Sequence, residues 1–298
     1  MRSGARTIAP PTIEFRQAVG MLMPHIESYY LFRNEAGHIE GVERVDLGQL
    51  RFMIRGEGEV TFPGGHVEKT LPIMINGPGT AAARYRIEGP FHCFGLSLRA
   101  IGWKALTGLA ADKVADRVID GRYLFGEQAP LLLERLRVAA SLDEMVALTE
   151  PLLESRLAQT KPVPRTHLVF LRSVREWAAS GSPGLDVLYS AIRAKSNIGE
   201  RQVQRLCREY FAGSPAHLRR KFRAIGAAMR IYHGASVEEV VGPFSDQSHM
   251  INEIKHFTGH TPTTLRSGID PVLAATLDNE TFHFLPELIP EEVDLRRR

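Results

Sequence analysis

Cysteine is almost missing from this chain: 298 residues hold only Cys93 and Cys207. The two lie far apart on apolar patterns, which excludes a disulfide framework or a cysteine metal site and predicts two buried thiols. Long apolar runs are also lacking. No stretch reaches the roughly 20 residues that a membrane-spanning helix needs, and the opening MRSGARTIAPP has no apolar centre of the kind a secretory leader carries. The expectation is a cytoplasmic protein with no membrane partner. Charge of one sign is not in large excess either: the formal net charge is +3, so the chain as a whole does not announce a polyanionic partner.

Catalytic groupings are equally scarce. No nucleophile–base pair stands out, and Glu57 and Glu59 fall in a Gly-rich stretch that reads as a solvated hairpin. His25, His38, His66 and His92 are scattered singly. His66-Val67-Glu68 is the nearest thing to a ligand pair, whereas a metal site needs three or four convergent ligands. The expectation is therefore no catalytic residue, no metal and no cofactor, and a protein that is not an enzyme.

What the chain does have is an uneven distribution of charge. Between Arg193 and Arg230 ten Arg or Lys residues face two acids, Glu200 and Glu209, so this segment carries +8 and the rest of the chain −5. Such segregation is an electrostatic footprint for a polyanion, with a solvated basic helix face as the alternative. The length suggests two domains.

From Phe15 to Phe94 the pattern is β. VERVDL (42–47), LRFMI (50–54), EVTF (59–62), LPIMIN (71–76), ARYRIE (83–88) and FHCFGLSL (91–98) are short, often apolar runs punctuated by Gly and Pro, among them Gly56, Gly58 and Gly89-Pro90. Closely spaced short strands predict a small antiparallel barrel, whose interior has room for one small molecule. On ARYRIE, Arg84 and Arg86 share one face and Tyr85 takes the other, which reads as an edge strand with charged outer residues. Trp103 and Tyr29-Tyr30 read as core. A helix is predicted at about Arg99 to Leu109. From Leu124 the period becomes helical, with Leu131, Leu132, Leu136 and Val138 on an apolar side, and Ser141-Leu142-Asp143-Glu144 opens a second helix running toward Leu157. These helices either form a dimer face or cover the barrel. Thr160-Lys161-Pro162-Val163-Pro164 is a stiff linker.

Beyond it, Arg165 to Ser180 is amphipathic, with Leu168, Leu171, Val174 and Trp177 three or four apart. A helix over Leu185 to Ala194 follows, then a turn containing Asn197, expected in the left-handed conformation. A second helix is capped by Gly199. Its Val203, Leu206, Cys207, Tyr210 and Phe211 form a buried stripe, with Ile198 and Val203 as a hydrophobic staple and Gln202 at the capping-box position. Arg201, Gln204, Arg205 and Arg208 lie on the opposite face. A rigid helix with one buried stripe and an Arg/Gln face suits a DNA major groove. Ser214-Pro215 starts a long helix.

GERQVQRLC resembles the first helix-turn-helix of the AraC/XylS-type bacterial transcription regulators, and VGPFSDQSHMINEIKHFTGHTP is similar to that family's C-terminal signature. Aligning Gly199 with Asp246 makes the two units a faint internal repeat, with Arg201 opposite Ser248, Gln204 opposite Ile251 and Arg205 opposite Asn252. The resemblance implies an α+β chain: a cupin-like barrel with helices over residues 1–160, a double helix-turn-helix over 165–268 whose units are joined by a long helix, and an extension over 269–298. It implies double-stranded DNA as partner, a small-molecule effector, a homodimer and contact with RNA polymerase. The sequence departs from the family at Asn252, where Arg is usual, and in ASVEEVV, a helix of under two turns before Gly242-Pro243. The expected DNA-contacting residues are Arg201, Gln204, Arg205 and Arg208 in the first unit and Gln247, Ser248 and Asn252 in the second. The first unit is expected to read the sequence and the second to help position it, with Lys255, His256, Arg219, Arg220, Lys221 and Arg223 as phosphate neighbours or surface charge. The competing reading is a small-molecule-binding or enzymatic barrel whose helical half has lost DNA.

Overall fold

The computed structural model describes residues 10–181 and 184–278, and the structural statements below concern those residues. Eight strands come first: β1 (Thr12–Gln17), β2 (Ile26–Asn34), β3 (His38–Glu43), β4 (Gly48–Thr61), β5 (Val67–Lys69), β6 (Ile73–Asn76), β7 (Ala83–Leu98) and β8 (Val118–Asp120). All their pairings are antiparallel. β7 is the spine. One of its edges pairs with β4 from end to end, while the other takes β3 over residues 83–88 and β2 over 91–98. The outer edge of β4 takes β6 near its start and β5 near its end.

The runs read as separate short strands thus fuse into two long ones of 14 and 16 residues. Gly56 and Gly58 do not end a strand. The β4–β7 register shifts between Met53 and Arg55 and again between Arg55 and Glu57, the second shift at Gly56, while Gly58 pairs in regular register with Ile87. Gly56 has φ +79°, and a Cβ there would stand 2.5 Å from the carbonyl oxygen of Pro90. Extra residues at such a shift bend the pair, which lets two long strands serve both halves of the folded sheet.

Strand alternation divides the β residues between two cores. Leu31, Leu50, Phe52, Phe94 and Leu96 face one side. Tyr30, Phe32, Met53, Ile87 and Cys93 line the interior on the other. The first side is covered by α1 (Ala100–Thr107), α2 (Ala129–Val138) and α3 (Leu142–Ala158), which contribute Trp103, Leu132, Leu136, Met145 and Val146. Ser141 Oγ accepts the amide of Glu144 at 3.2 Å, capping α3 as expected. The apolar side of α2 differs from the sequence reading: Leu132, Leu133 and Leu136 are buried, whereas Leu131 and Val138 are 59% and 81% exposed. The chain ahead of α2 winds through short 3-10 turns at residues 121–124 and 126–128, so the helix begins only at Ala129.

Residues 161–164 carry no regular structure. The remainder is helical: α4 (Arg165–Ala179), α5 (Leu185–Lys195), α6 (Glu200–Phe211), α7 (Pro215–Tyr232), α8 (Val237–Val240), α9 (Gln247–Thr258), α10 (Pro262–Ser267) and α11 (Pro271–Asp278). An antiparallel β half followed by an all-α half is the layout expected from the sequence. α8 has only four residues, and a Ser236–Glu239 capping box compensates for its brevity. α11 starts the C-terminal extension, with Leu273 and Leu277 buried alongside Val240 and Met250. The rest of the extension, residues 279–298, lies outside the described residues.

The bend in β4 yields a test. Gly56→Ala places a methyl group against backbone at a positive φ, and should cost about 1–3 kcal/mol, read as a lower urea midpoint at unchanged m-value.

Candidate nucleic-acid interface

α6 and α9 are the two helices on which the sequence placed DNA contacts. Each has 12 residues. Each ends in a left-handed residue, Ala212 at φ +60° and Gly259 at φ +77°, and each is followed by a capped helix with Pro in its first turn. The faint sequence repeat is thus a repeat of structure. Asn197, by contrast, does not have a positive φ. The left-handed residue of the first unit is Ala212, at the end of α6 instead of in the turn before it.

α6 buries Val203, Leu206, Cys207, Tyr210 and Phe211, as its periodicity predicts. Burial raises the Cys207 thiol well above the ordinary range, and the Cys93 thiol to about 12, so both stay protonated at neutral pH. Ile198 and Val203 are both buried in the same core, as a staple requires. Gly199 caps α6 without any side-chain bond, so Gln202 does not complete a capping box. Arg201, Gln204, Arg205 and Arg208 are exposed along one side. Arg205 pairs with Glu209 one turn on, at 3.3 Å, and Glu209 also holds Lys104 of α1 at 2.9 Å. Sequence reasoning did not identify Glu209 and Lys104, and only their contact across the two halves reveals them.

On α9, Gln247, Ser248 and Asn252 are exposed. Asp246 caps the helix, its carboxylate accepting the amide of His249 at 2.8 Å. Two of the basic residues of α7 have partners within the helical half. Arg220 makes a forked contact with Glu253 of α9, through Nε at 2.9 and 3.2 Å and Nη2 at 2.7 Å, and lies over the Phe257 ring. Arg223 donates to the carbonyl of Pro243 at 2.8 Å and stacks on Phe244. Lys221 is buried. These side chains hold α9 and its preceding turn against α7, because a short α8 leaves the second unit little scaffold of its own. Lys255 is exposed.

The C-terminal ends of both helices meet the β half. His256 and Phe257 carbonyls, which have no partner within α9, accept the amides of Ala82 at 2.9 Å and Val45 at 2.8 Å. Phe257 packs with Val45 and Ala224. A Cβ on Gly259 would stand 2.2 Å from Val42. His256 is therefore committed to this junction through its backbone, and burial lowers its pKa. Tyr210 and Phe211 at the end of α6 pack with Ala100 and Ile101 of α1. Both helices are thus held at their C-terminal turns, and their N-terminal turns are left exposed. The N-terminal residues of a recognition helix are the ones that meet base edges.

Three of the four histidines considered as metal ligands are engaged elsewhere: His38 with Glu88 and Glu40, His66 with the carbonyl of Asp116, His92 with Glu35. No group of three or more potential ligands gathers among the described residues. Arg84 and Arg86 are exposed and Arg86 pairs with Glu40, but the strand is not the edge expected of it: residues 83–88 pair with β3 on one side and β4 on the other. Glu57 and Glu59 do not lie in a hairpin turn; they are part of β4 paired to β7, and Glu59 reaches the rim of the barrel cavity.

The layout is an antiparallel barrel, covering helices, and two helix-turn-helix units joined by α7. No family model matches the chain, and no curated protein sequence does. Among solved structures, apo ToxT from Vibrio cholerae is similar at 8% identity, over 78% of this chain and 97% of that one, with a TM-score of 0.41. ToxT bound to (E)-4-(8-methylnaphthalen-1-yl)but-3-enoic acid is similar at 7% identity over 76% and 97%, TM-score 0.41. The AraC-like transcriptional activator CuxR is similar at 14% over 77% and 89%, TM-score 0.30. Nothing about function follows from likeness this distant. No helix among the described residues is long and apolar enough to cross a membrane.

The α7–α9 ion pair has a pH signature. Burial alone would raise the Glu253 carboxyl, but hydrogen bonds and charge from Arg220 outweigh it and hold the group below its ordinary 4.5. A depressed carboxylate contributes stability that is fully present above its unfolded pKa and lost as pH falls through the folded one. Denaturation midpoints should therefore show this contribution intact at pH 7 and falling away below about pH 4.5. Glu253→Gln should abolish that acid-side loss, which amounts to about 1 kcal/mol because the Arg220 side chain is half exposed.

Proposed function

We propose that this protein is a double-stranded-DNA-binding transcription regulator controlled through its N-terminal barrel, with sequence read mainly by α6. The observation that carries the reading is the exposed row Arg201, Gln204, Arg205 and Arg208 on a helix whose other face is fully packed and whose C-terminal turn is fixed to the barrel. A bidentate Arg–guanine or Gln–adenine contact discriminates by about 1–3 kcal/mol. α6 offers three Arg and one Gln for such contacts, whereas α9 offers Gln247, Ser248 and Asn252, with no arginine on its exposed face. α9 then serves chiefly to set position along the duplex. The basic residues of α7 add little to phosphate binding, since Arg220 and Arg223 are spent on α9 and its turn.

Selection from random duplexes followed by gel-shift titration at fixed salt tests this. Arg205→Ala should weaken binding to the selected site by about 1–3 kcal/mol and relax base preference at one position, and Asn252→Ala should cost clearly less. Equal losses would contradict the division of labour. An absence of salt-dependent duplex binding would contradict the reading altogether, because neutralising phosphates gives a slope of about −0.9 per contact in log affinity against log salt.

A further inference from the structure

The barrel interior holds two adjoining cavities, of about 100 and 60 Å³, that share Ile13, Tyr30, Glu43 and Arg51. The larger is walled by Phe32, Met74, Ile87 and Phe91. The smaller is closed by Leu273 and Thr276 of α11. Arg51 is the one arginine lining the larger cavity. Its Nε donates to Tyr30 Oη and Gln49 Oε1, both at 2.8 Å, and its Nη2 holds a single oxygen of Glu43. Among the described residues nothing bonds its Nη1. Guanidinium groups pair best with a carboxylate that takes two N–H groups in parallel, so the contact with Glu43 leaves half of the fork unused. Tyr85 Oη, at the cavity wall, has no hydrogen bond among the described residues either.

Resting on the regulator reading above, we propose that this cavity binds a small monocarboxylate with a compact apolar body, whose carboxylate displaces Glu43 from Arg51. Size sets the class. An apolar cavity of about 150 Å³ takes up benzene, so these adjoining spaces suit one ring or a short branched chain, not a long acyl chain. Displacement relieves the repulsion that the incoming anion and Glu43 would feel beside one cation. Glu43 ends β3, and two residues later the Val45 amide donates to the Phe257 carbonyl of α9. Release of Glu43 therefore acts on the segment that docks the second helix-turn-helix. Leu273 offers a second connection, since it walls the smaller cavity and is buried in the α7–α9 core.

Titration calorimetry of the full chain with benzoate, cyclohexanecarboxylate and benzamide tests the site. Both acids should bind, and the neutral amide at least tenfold more weakly. Glu43→Gln removes the competing anion and should tighten benzoate at least threefold, while Arg51→Gln should abolish binding. Should Arg51→Gln not fold, Glu43→Gln and the amide still decide. Equal binding of acid and amide, weaker benzoate binding by Glu43→Gln, or no binding of either acid would overturn the proposal. Fluorescence anisotropy with a selected duplex reads the coupling: saturating benzoate should shift duplex affinity in the wild type, Glu43→Gln alone should shift it in the same direction, and no shift in either overturns the displacement route. A chain that binds benzoate but no duplex defeats the regulator reading and leaves the site standing. One that binds duplex but no acid does the reverse.

Discussion

The structure depends on how the last turn of α9 is terminated. A helix leaves its final carbonyls without partners, and they must find donors or water. Here two of them find Val45 and Ala82 on loops of the β half, with the Phe257 ring closing the junction against Val45 and Ala224. This is a strong constraint because it is made of backbone. No substitution other than proline removes the donors, and Gly259 lets the turn after α9 approach Val42 more closely than any other residue would. The orientation of the second helix-turn-helix is fixed by the barrel as well as by its own short scaffold.

That arrangement explains why the second unit survives with a scaffold helix of four residues. A helix so short has no stability of its own. Its task passes to Arg220 and Arg223, which reach from α7 to Glu253, Pro243 and Phe244, and to Leu273 and Leu277 of α11, which fill the same core. Arg220 and Arg223 thus have internal partners that the sequence pattern does not reveal.

The barrel's two faces divide the labour in a similar way. Leu50 and Phe52 on β4, and Phe94 and Leu96 on β7, meet the covering helices and supply the dense core. Their neighbours Arg51, Met53 and Cys93 point inward, where packing is looser and a cavity remains. A polar group buried in such a place has to be hydrogen-bonded, and Arg51 is met by Tyr30, Gln49 and Glu43 from three different parts of the chain.

Much of this was legible from the residues alone wherever the physics is local. The buried stripe of α6, its Gly199 cap, the Ser141 cap of α3, the short α8 and the repeat of two helix-turn-helix units follow from periodicity, capping chemistry and spacing, none of which needs a distant partner. The misreadings are of the opposite kind. Gly56 and Gly58 looked like the end of a strand because a glycine pair is locally a turn signal, yet pairing with β7 along its whole length keeps β4 extended through them. Leu131 and Val138 read as buried, yet packing on the sheet takes Leu132, Leu133 and Leu136 instead. Tyr30 is core and Arg220 is at the surface, as read, but their bonds to Arg51 and Glu253, and the place of Glu59 at the cavity, leave no local signal because the partners lie 21, 33 or more residues away or across the sheet. The sequence by itself determined most of the helical segments and, for α4 and α6, which face is apolar, because periodicity and capping are local. The tertiary structure decided which polar groups remain exposed, what α9 is anchored to and where an interior space is left, because those depend on partners that only long-range packing brings within hydrogen-bonding distance.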